Sequence, residues 1–151
     1  MNKLLTLVLP ALLACTSACQ SAAGALEGDF EGTVSLDFVA DSGSSAKFSE
    51  EQVSVYLQAI SGKIQLEMQG SETTCEFDES EVDGETVALS STMCGWFKDS
   101  DTGEEYMLDD AAGTATRNAD ALTVHVHGAF DTGGDDALTG TFELDYTGAL
   151  R

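Results

Sequence analysis

The sequence predicts an all-β fold, an antiparallel meander of about eight to ten short strands closed into a small β-barrel. Apolar and polar residues alternate along much of the chain, which is the period of a strand with one buried face. The single proline lies in the N-terminal segment, and no stretch has the 3.6-residue period of a helix. Closing a meander into a barrel removes its exposed edges. A two-sheet β-sandwich has the same alternation and is the alternative fold.

The first strand and the first hairpin follow from this alternation and from turn chemistry. A two-residue turn at Ser61-Gly62 places Leu57 opposite Leu66 and Tyr56 opposite Glu67, so that apolar faces apolar and polar faces polar. The first strand, over residues 29–40, turns four apolar side chains to one face, namely Phe30, Val34, Leu36 and Phe38.

The C-terminal hairpin is predicted by the same matching of faces. It places Val126 opposite Phe142 and Gly128 opposite Gly140. A strand of small residues precedes it and turns at Asn118–Asp120. Weaker strands are predicted between the two hairpins, over Thr73–Asp78, Glu85–Ser91, Met93–Lys98 and Glu104–Asp109.

The N-terminal segment, residues 1–14, has the character of an export signal. Lys3 gives it a basic start, and Leu4–Leu13 is an apolar run broken only by Thr6 and Pro10. A bilayer takes about 20 apolar residues to cross, so we interpret this shorter run as a cleaved signal rather than a transmembrane helix.

The segment Leu12-Leu13-Ala14-Cys15 is similar to the lipobox of bacterial lipoproteins. This resemblance implies cleavage before Cys15, a diacylglycerol on its thiol, and anchoring to the bacterial outer membrane, facing the periplasm or the cell surface. Cys19 follows small residues as well, but Thr16 stands where a lipobox has Leu. We predict lipidation at Cys15. The alternatives are lipidation at Cys19 and a secretory signal that is cleaved without lipidation.

The mature chain divides into a short tether and one domain. Residues 15–25 are the lipidated Cys and a flexible stretch of small and polar residues, and residues 26–151 form a single domain by length. Loss of Lys3 leaves five basic side chains against 27 acidic ones, a net charge of about −22. Such a surface repels nucleic acid and anionic headgroups. The partners it predicts are the membrane, through the lipid, and a basic protein or a divalent cation.

Cys75 and Cys94 are predicted to form a disulfide bond between two strands. Export into an oxidising compartment favours the bond over two buried free thiols. Closing the intervening loop contributes about 3 kcal/mol of stability in the loop-entropy model.

His125 and His127 occupy the same face of one strand, and the predicted register places Glu143 opposite His125. Two imidazoles and a carboxylate are ligands that zinc and copper accept, so these residues are a candidate metal site. Val124 and Val126 take the core face, so the histidines point outward, and a plain solvated strand face is the alternative.

Carboxylates are concentrated in the predicted loops. The loop at Asp99 begins with the Asp-x-Asp of a calcium-binding loop, so Asp99, Asp101 and Glu104 are candidate calcium ligands, with a solvated acidic turn as the alternative. If Glu85–Ser91 and Met93–Lys98 are separate strands of a meander, the acidic segment that begins at Asp78 shares one rim with the Asp99 loop.

For function, the sequence predicts a lipid-anchored, exported binding or interaction module that works through its acidic surface and loops. The alternatives are a barrel that binds a small ligand or calcium, and an inhibitor of a basic extracytoplasmic enzyme. Catalytic residues are not predicted, because the chain has no Gly-x-Ser-x-Gly motif and no phosphate-binding glycine loop.

Overall fold

The computed structural model describes residues 26–60, 63–69, 73–83, 85–99 and 102–151, and the elements that these residues form are all β-strands. In chain order they are β1 (Gly28–Ala40), β2 (Ser45–Ile60), β3 (Lys63–Gln69), β4 (Thr73–Asp83), β5 (Thr86–Cys94), β6 (Trp96–Lys98), β7 (Glu105–Asn118), β8 (Ala121–Asp131) and β9 (Thr139–Leu150). Within this part of the chain, no helix has the length and apolar character needed to cross a membrane.

The described strands form a single antiparallel sheet whose hydrogen-bonded pairs make a closed ring. Each strand from β1 to β4 pairs with the next, β7 pairs with β8, and β8 pairs with β9. β9 then returns to β1, while β5 pairs with β7. The short β6 also pairs with β7, in line with β5. The predicted all-β, antiparallel class is therefore confirmed, and the strands do not separate into the two sheets of the alternative fold.

The core lies inside this ring and is filled by the inward side of the alternating pattern. Phe30, Val34, Leu36 and Phe38, predicted to share one face of β1, are all buried. Burying a large apolar side chain contributes about 1.5–3 kcal/mol, so this face fixes which side of each strand turns inward. Further large apolar side chains are buried as well, namely Leu57, Leu66, Met68, Phe77 and Phe142.

The β2–β3 hairpin has the predicted register. Leu57 pairs with Leu66, Tyr56 with Glu67, and Ala59 with Ile64. The turn residues Ser61 and Gly62 lie outside the described residues, but the pairs on either side agree with a two-residue link. Apolar matching and turn length gave the same register here, so the prediction had two independent supports.

The β8–β9 hairpin is displaced by two residues from its predicted register. Val126 pairs with Leu144 rather than Phe142, and Gly128 pairs with Phe142 rather than Gly140. The cause is the loop of residues 132–138, in which the Thr132 N–H donates to the Leu138 carbonyl at 3.0 Å and the Leu138 N–H donates to Thr132 Oγ1 at 2.8 Å. The displacement is an even number of residues, so every side chain keeps its predicted face.

The two ends of the ring carry different loops. We call proximal the end at which the described chain begins, at residues 26–28, and at which β4 connects to β5 and β7 to β8; the opposite end is distal. At the distal end lie the β1–β2 turn, the β6–β7 loop and the β8–β9 loop, where the Asp41 N–H donates to the Thr139 carbonyl at 2.9 Å. Thr86 pairs with Thr116 near the proximal end, whereas Lys98 pairs with Glu105 at the distal end.

The predicted shared acidic rim is therefore wrong. β5 and β6 run in the same direction along β7, so the segment after Asp78 and the loop after Asp99 lie at opposite ends. Gly95 interrupts the strand without reversing it, because its N–H donates to the Thr74 carbonyl at 2.9 Å and its carbonyl accepts from the Leu108 N–H at 3.1 Å. The sequence reasoning placed a reversal between Ser91 and Met93, but the chain keeps one direction through β5 and past Gly95.

Candidate functional site

The cysteine pair stands where the sequence predicts it. Cys75 on β4 and Cys94 at the end of β5 are direct cross-strand partners, with their Cα atoms 4.1 Å apart and their sulfur atoms at bonding distance, 2.09 Å. Both residues are buried. The bond ties β4 to β5 immediately before the interruption at Gly95. Cys15 and Cys19, the candidate lipidation sites, lie outside the described residues.

The Asp99 loop uses its carboxylates to hold itself together. Asp99 is only 5% exposed, and its Oδ2 accepts hydrogen bonds from the Thr102 hydroxyl and, at 3.3 Å, from the Thr102 N–H. Glu104 accepts from the Tyr106 hydroxyl at 2.8 Å. In such a loop a side-chain carboxylate takes the place of a backbone acceptor. Asp101, the third predicted calcium ligand, lies outside the described residues.

The predicted histidine site is rearranged by the register of β8–β9. His127, rather than His125, is the backbone partner of Glu143, and His125 pairs with Asp145. The ligand atoms of His125, Glu143 and Asp145 all lie within 4.8 Å of one another. His127 stands beside this group, with its ring centroid 6.3 Å from that of His125. The structure thus brings His125 and Glu143 together and adds Asp145, which the sequence reasoning had not singled out.

A shallow depression of about 390 Å³ adjoins this cluster on the outer face of β1, β8 and β9. Asp37, His125, His127 and Glu143 are among its lining residues. Gly128 makes room for the buried ring of Phe142, because a Cβ atom there would lie 2.6 Å from that ring. The outward-facing histidines therefore border a concave surface rather than a flat strand face.

A second feature of the outer face lies at the distal end. Trp96 on β6 and Met107 on β7 are direct partners, exposed by 47% and 38%, and Asp131 on β8 is the next residue across the sheet. We call these three residues the Trp96 row. Lys98 and Glu105 form an ion pair beside it, with Nζ and Oε1 2.9 Å apart. An exposed aromatic side chain bordered by carboxylates is suited to contact a cation and an apolar group together.

At the proximal end, arginine side chains fix the start of the domain. Leu26 is fully buried, and the Arg117 guanidinium donates to the Glu27 carbonyl at 2.7 Å. The same guanidinium lies over the Phe30 ring, 5.5 Å from its centroid. The direction in which the chain leaves towards its N-terminus is therefore set by packing and by a charge-assisted hydrogen bond.

Two tyrosines report the electrostatics of the two ends. Burial, the hydrogen bond to Glu104 and the negative charges of Glu104 and Asp99 raise the pKa of Tyr106 to about 12. Burial and the charges of Asp29 and Glu31 raise the pKa of Tyr146 to about 12, and Arg151 opposes that rise. Both phenols therefore stay protonated well above neutral pH.

Comparison with known proteins adds no assignment to these features. No family model matches the chain, and neither the curated proteins nor the solved structures contain a significant match.

The candidate site residues that the sequence reasoning missed are Asp145, Trp96 and Met107. The signal for Asp145 was present, because it lies on the same face of β9 as Glu143, but the predicted register placed it elsewhere. Trp96 and Met107 lie in two segments that were predicted as weak strands. The pairing of β6 with β7 makes them direct partners.

Proposed function

We propose that the protein is a lipid-anchored, exported interaction module that binds a basic partner protein at its distal end. We infer that the closed ring of strand pairs is a small β-barrel that serves as a rigid support. The bulky apolar side chains inside it favour recognition at the outer surface and loops over a role for the interior. The observation that carries the proposal is the Trp96 row, an exposed aromatic residue among carboxylates at the end away from the N-terminus.

The position of the N-terminus supports an orientation relative to the membrane. The described chain begins at the proximal end, where Arg117 holds the backbone at Glu27. A tether of about ten small and polar residues behaves as a coil with a mean reach of about 18 Å. A lipid on Cys15, or alternatively on Cys19, would keep the proximal end near the membrane and direct the distal loops away from it.

The charge of the distal end supports a basic partner. Asp41 accepts a hydrogen bond from the Thr139 hydroxyl, Glu104 from the Tyr106 hydroxyl, and Asp131 from the Gly133 N–H, at 2.8, 2.8 and 2.5 Å. These neutral donors satisfy oxygen lone pairs but leave the negative charges in place. A cationic surface would be steered to such an end, and lysine or arginine side chains can stack on Trp96. A basic extracytoplasmic enzyme held in an inhibited complex is a narrower form of the same proposal.

Site-specific photo-crosslinking in intact cells tests the partner. A photoreactive amino acid at position 96 should give a crosslinked product with a basic protein, identified by mass spectrometry. The same amino acid at position 56 is the matched control, because Tyr56 is also an exposed aromatic residue but lies on β2. Identical products from both positions, an acidic partner, or no product from position 96 would refute the proposal.

The anchor is tested separately by detergent partitioning and intact mass. We expect Cys15→Ser to release the protein from membranes and to remove the mass of the lipid, while Cys19→Ser keeps both. Release by Cys19→Ser alone would show that the lipid is attached to Cys19. If the parent protein and both variants all stay in the aqueous phase, the protein is secreted without a lipid.

A further inference from the structure

His125 lies between two carboxylates, one facing each of its ring nitrogens. Its Nδ1 is 2.8 Å from Asp145 Oδ1, and its Nε2 is 3.6 Å from Glu143 Oε1. The three side chains come from adjacent strands, β8 and β9, whose pairing places His125 opposite Asp145 and next to Glu143. The shorter contact is a hydrogen bond, whereas the longer one leaves a gap.

The gap has the size that a metal ion requires. Two ligand atoms, each about 2.0–2.2 Å from a tetrahedral zinc ion, are separated by about 3.3–3.6 Å. The 3.6 Å between His125 Nε2 and Glu143 Oε1 lies at the upper edge of this range. An ion pair formed for stability alone would gain little at this exposed position, since surface salt bridges contribute about 0–1 kcal/mol.

The contact on the other nitrogen has the geometry of a supporting group. Metal-binding histidines generally donate their second N–H to a carboxylate or a carbonyl, which fixes the tautomer and orients the ring. Asp145 at 2.8 Å from Nδ1 would do so for His125 and would leave the Nε2 lone pair directed towards Glu143. The depression at His125 and Glu143 provides room for the remaining ligands of an ion.

We propose that His125 and Glu143 bind a zinc or copper(II) ion on the outer face of β8 and β9, with Asp145 orienting the imidazole. The protein supplies two ligands, and the other coordination positions open into the depression, where water or a donor from another molecule completes them. The large negative charge of the chain raises the local concentration of divalent cations. This site is independent of the Trp96 row, so either proposal can fail without the other.

Titration of the folded protein with ZnCl₂ tests the site, followed by calorimetry and by ¹H–¹⁵N NMR of the imidazole nitrogens. We expect saturable binding of one ion and a change in the Nε2 signal of His125. His125→Gln and Glu143→Gln should each weaken binding by at least about tenfold, and Asp145→Asn by about 10–100-fold, the usual loss for a supporting group. Each variant's melting curve, recorded without metal, checks that it folds.

Matched variants separate this site from general attraction to an acidic surface. His127→Gln removes the neighbouring imidazole, and Glu67→Gln removes an exposed carboxylate on β3, so both should change the affinity by less than about twofold. MgCl₂ at equal ionic strength should leave the imidazole signals unchanged. Absence of saturable binding, or equal losses in Glu67→Gln and Glu143→Gln, would overturn the proposal and leave adventitious binding to a charged surface. A loss in His127→Gln equal to that in His125→Gln would overturn the ligand assignment.

Discussion

The proximal and distal ends of the sheet are both rich in carboxylates, but they satisfy them differently. At the proximal end, Arg151 forms an ion pair with Glu31, and Arg117 donates to the backbone beside Glu27. At the distal end, Asp41 and Glu104 accept hydrogen bonds from hydroxyl groups. Guanidinium groups cancel charge as well as filling lone pairs, whereas hydroxyl groups only fill lone pairs. Ion pairs occur towards the distal end as well, between Lys98 and Glu105 and between Lys47 and Asp37, so the two ends differ in the donors that hold these particular acidic residues.

The two ends also differ in how the ring is held together. Where the chain pairs with β7 to close the ring, β5 makes the pairing near the proximal end, while near the distal end the partner of β7 is the three-residue β6. Side chains compensate there, because Phe38 stacks on Tyr106 with ring centroids 4.4 Å apart and meets Phe130 edge-on at 5.2 Å. Phe48 and Phe97 complete the cluster. At β6 and β7, the distal end therefore depends on aromatic packing and on the nearby disulfide as well as on backbone pairing.

The largest effect is expected from Phe38→Ala, which removes the centre of this aromatic cluster. Truncating a buried Phe costs about 3–5 kcal/mol in the free energy of unfolding, measured by urea denaturation. Hydrogen exchange should rise first in β6 and the distal part of β7. Val39→Ala, on the exposed face of the same strand, should cost under about 0.5 kcal/mol. If hydrogen exchange rises equally at both ends, the distal end does not depend on this aromatic cluster more than the proximal end does.

A smaller effect is expected from the double variant Cys75→Ser with Cys94→Ser. Loss of the crosslink should lower the free energy of unfolding by about 3 kcal/mol in the loop-entropy model. Reduction of the parent protein should lower it by a similar amount, while the variant should not respond to reductant. Mass mapping of the unreduced protein gives the direct check, and recovery of both cysteines as free thiols would refute the bond.

Alkaline pH should act on both ends through Tyr106 and Tyr146. Their folded-state pKa values of about 12 exceed the unfolded value of 10.0, so their contribution is complete below pH 10 and is lost as the pH rises towards 12. Both phenols contribute to this loss, because each must ionise in a buried, negatively charged environment. Tyr106→Phe and Tyr146→Phe should each remove part of it, as judged by urea denaturation across this pH range. Ionisation of either phenol near pH 10 in the folded protein, seen in the absorbance of tyrosinate, would be incompatible with its proposed environment.

The smallest effect is expected from Asp99→Ala, which removes the acceptor of the Thr102 hydrogen bonds. We expect a loss of about 1–2 kcal/mol, similar to that of other capping side chains, and the same loss in calcium and in magnesium at matched ionic strength. Melting temperatures give the comparison. A rise with calcium in the parent protein that disappears in the variant would instead make Asp99 a calcium ligand.

The difference between the two hairpins explains what the sequence could predict. At Leu57 and Leu66, a two-residue turn and apolar matching both fix the register. In the β8–β9 loop, Gly133 and Gly134 adopt positive φ angles of 72° and 87°, and Thr132 and Leu138 bond across the loop. Residue types alone do not predict a loop conformation of this kind. The sequence therefore could not distinguish between two registers that differ by two residues and keep the same side chains on each face.

The candidate sites were predictable to the same extent. The alternation of inward and outward side chains was enough to place His125, His127 and Glu143 on the outer face. Which carboxylate lies at His125 Nδ1 depended on the register. The continuation of β5 into β6 was not foreseen either, because the predicted strands Glu85–Ser91 and Met93–Lys98 were separated at Thr92, which lies within β5. This one misjudged reversal moved the Asp99 loop to the opposite end of the molecule.

The pairing of β1 with β9 also affects the order in which the strands pair during folding. These strands are the first and last of the domain, yet they pair from Phe30 opposite Leu150 to Ala40 opposite Gly140. Contacts between the ends of a chain form late in folding, because the loop they close is the longest. If the chain is exported N-terminus first, as proposed above, this sheet cannot be completed until the residues of β9 have crossed the membrane. The topology would then delay completion of the fold until the whole domain has been translocated.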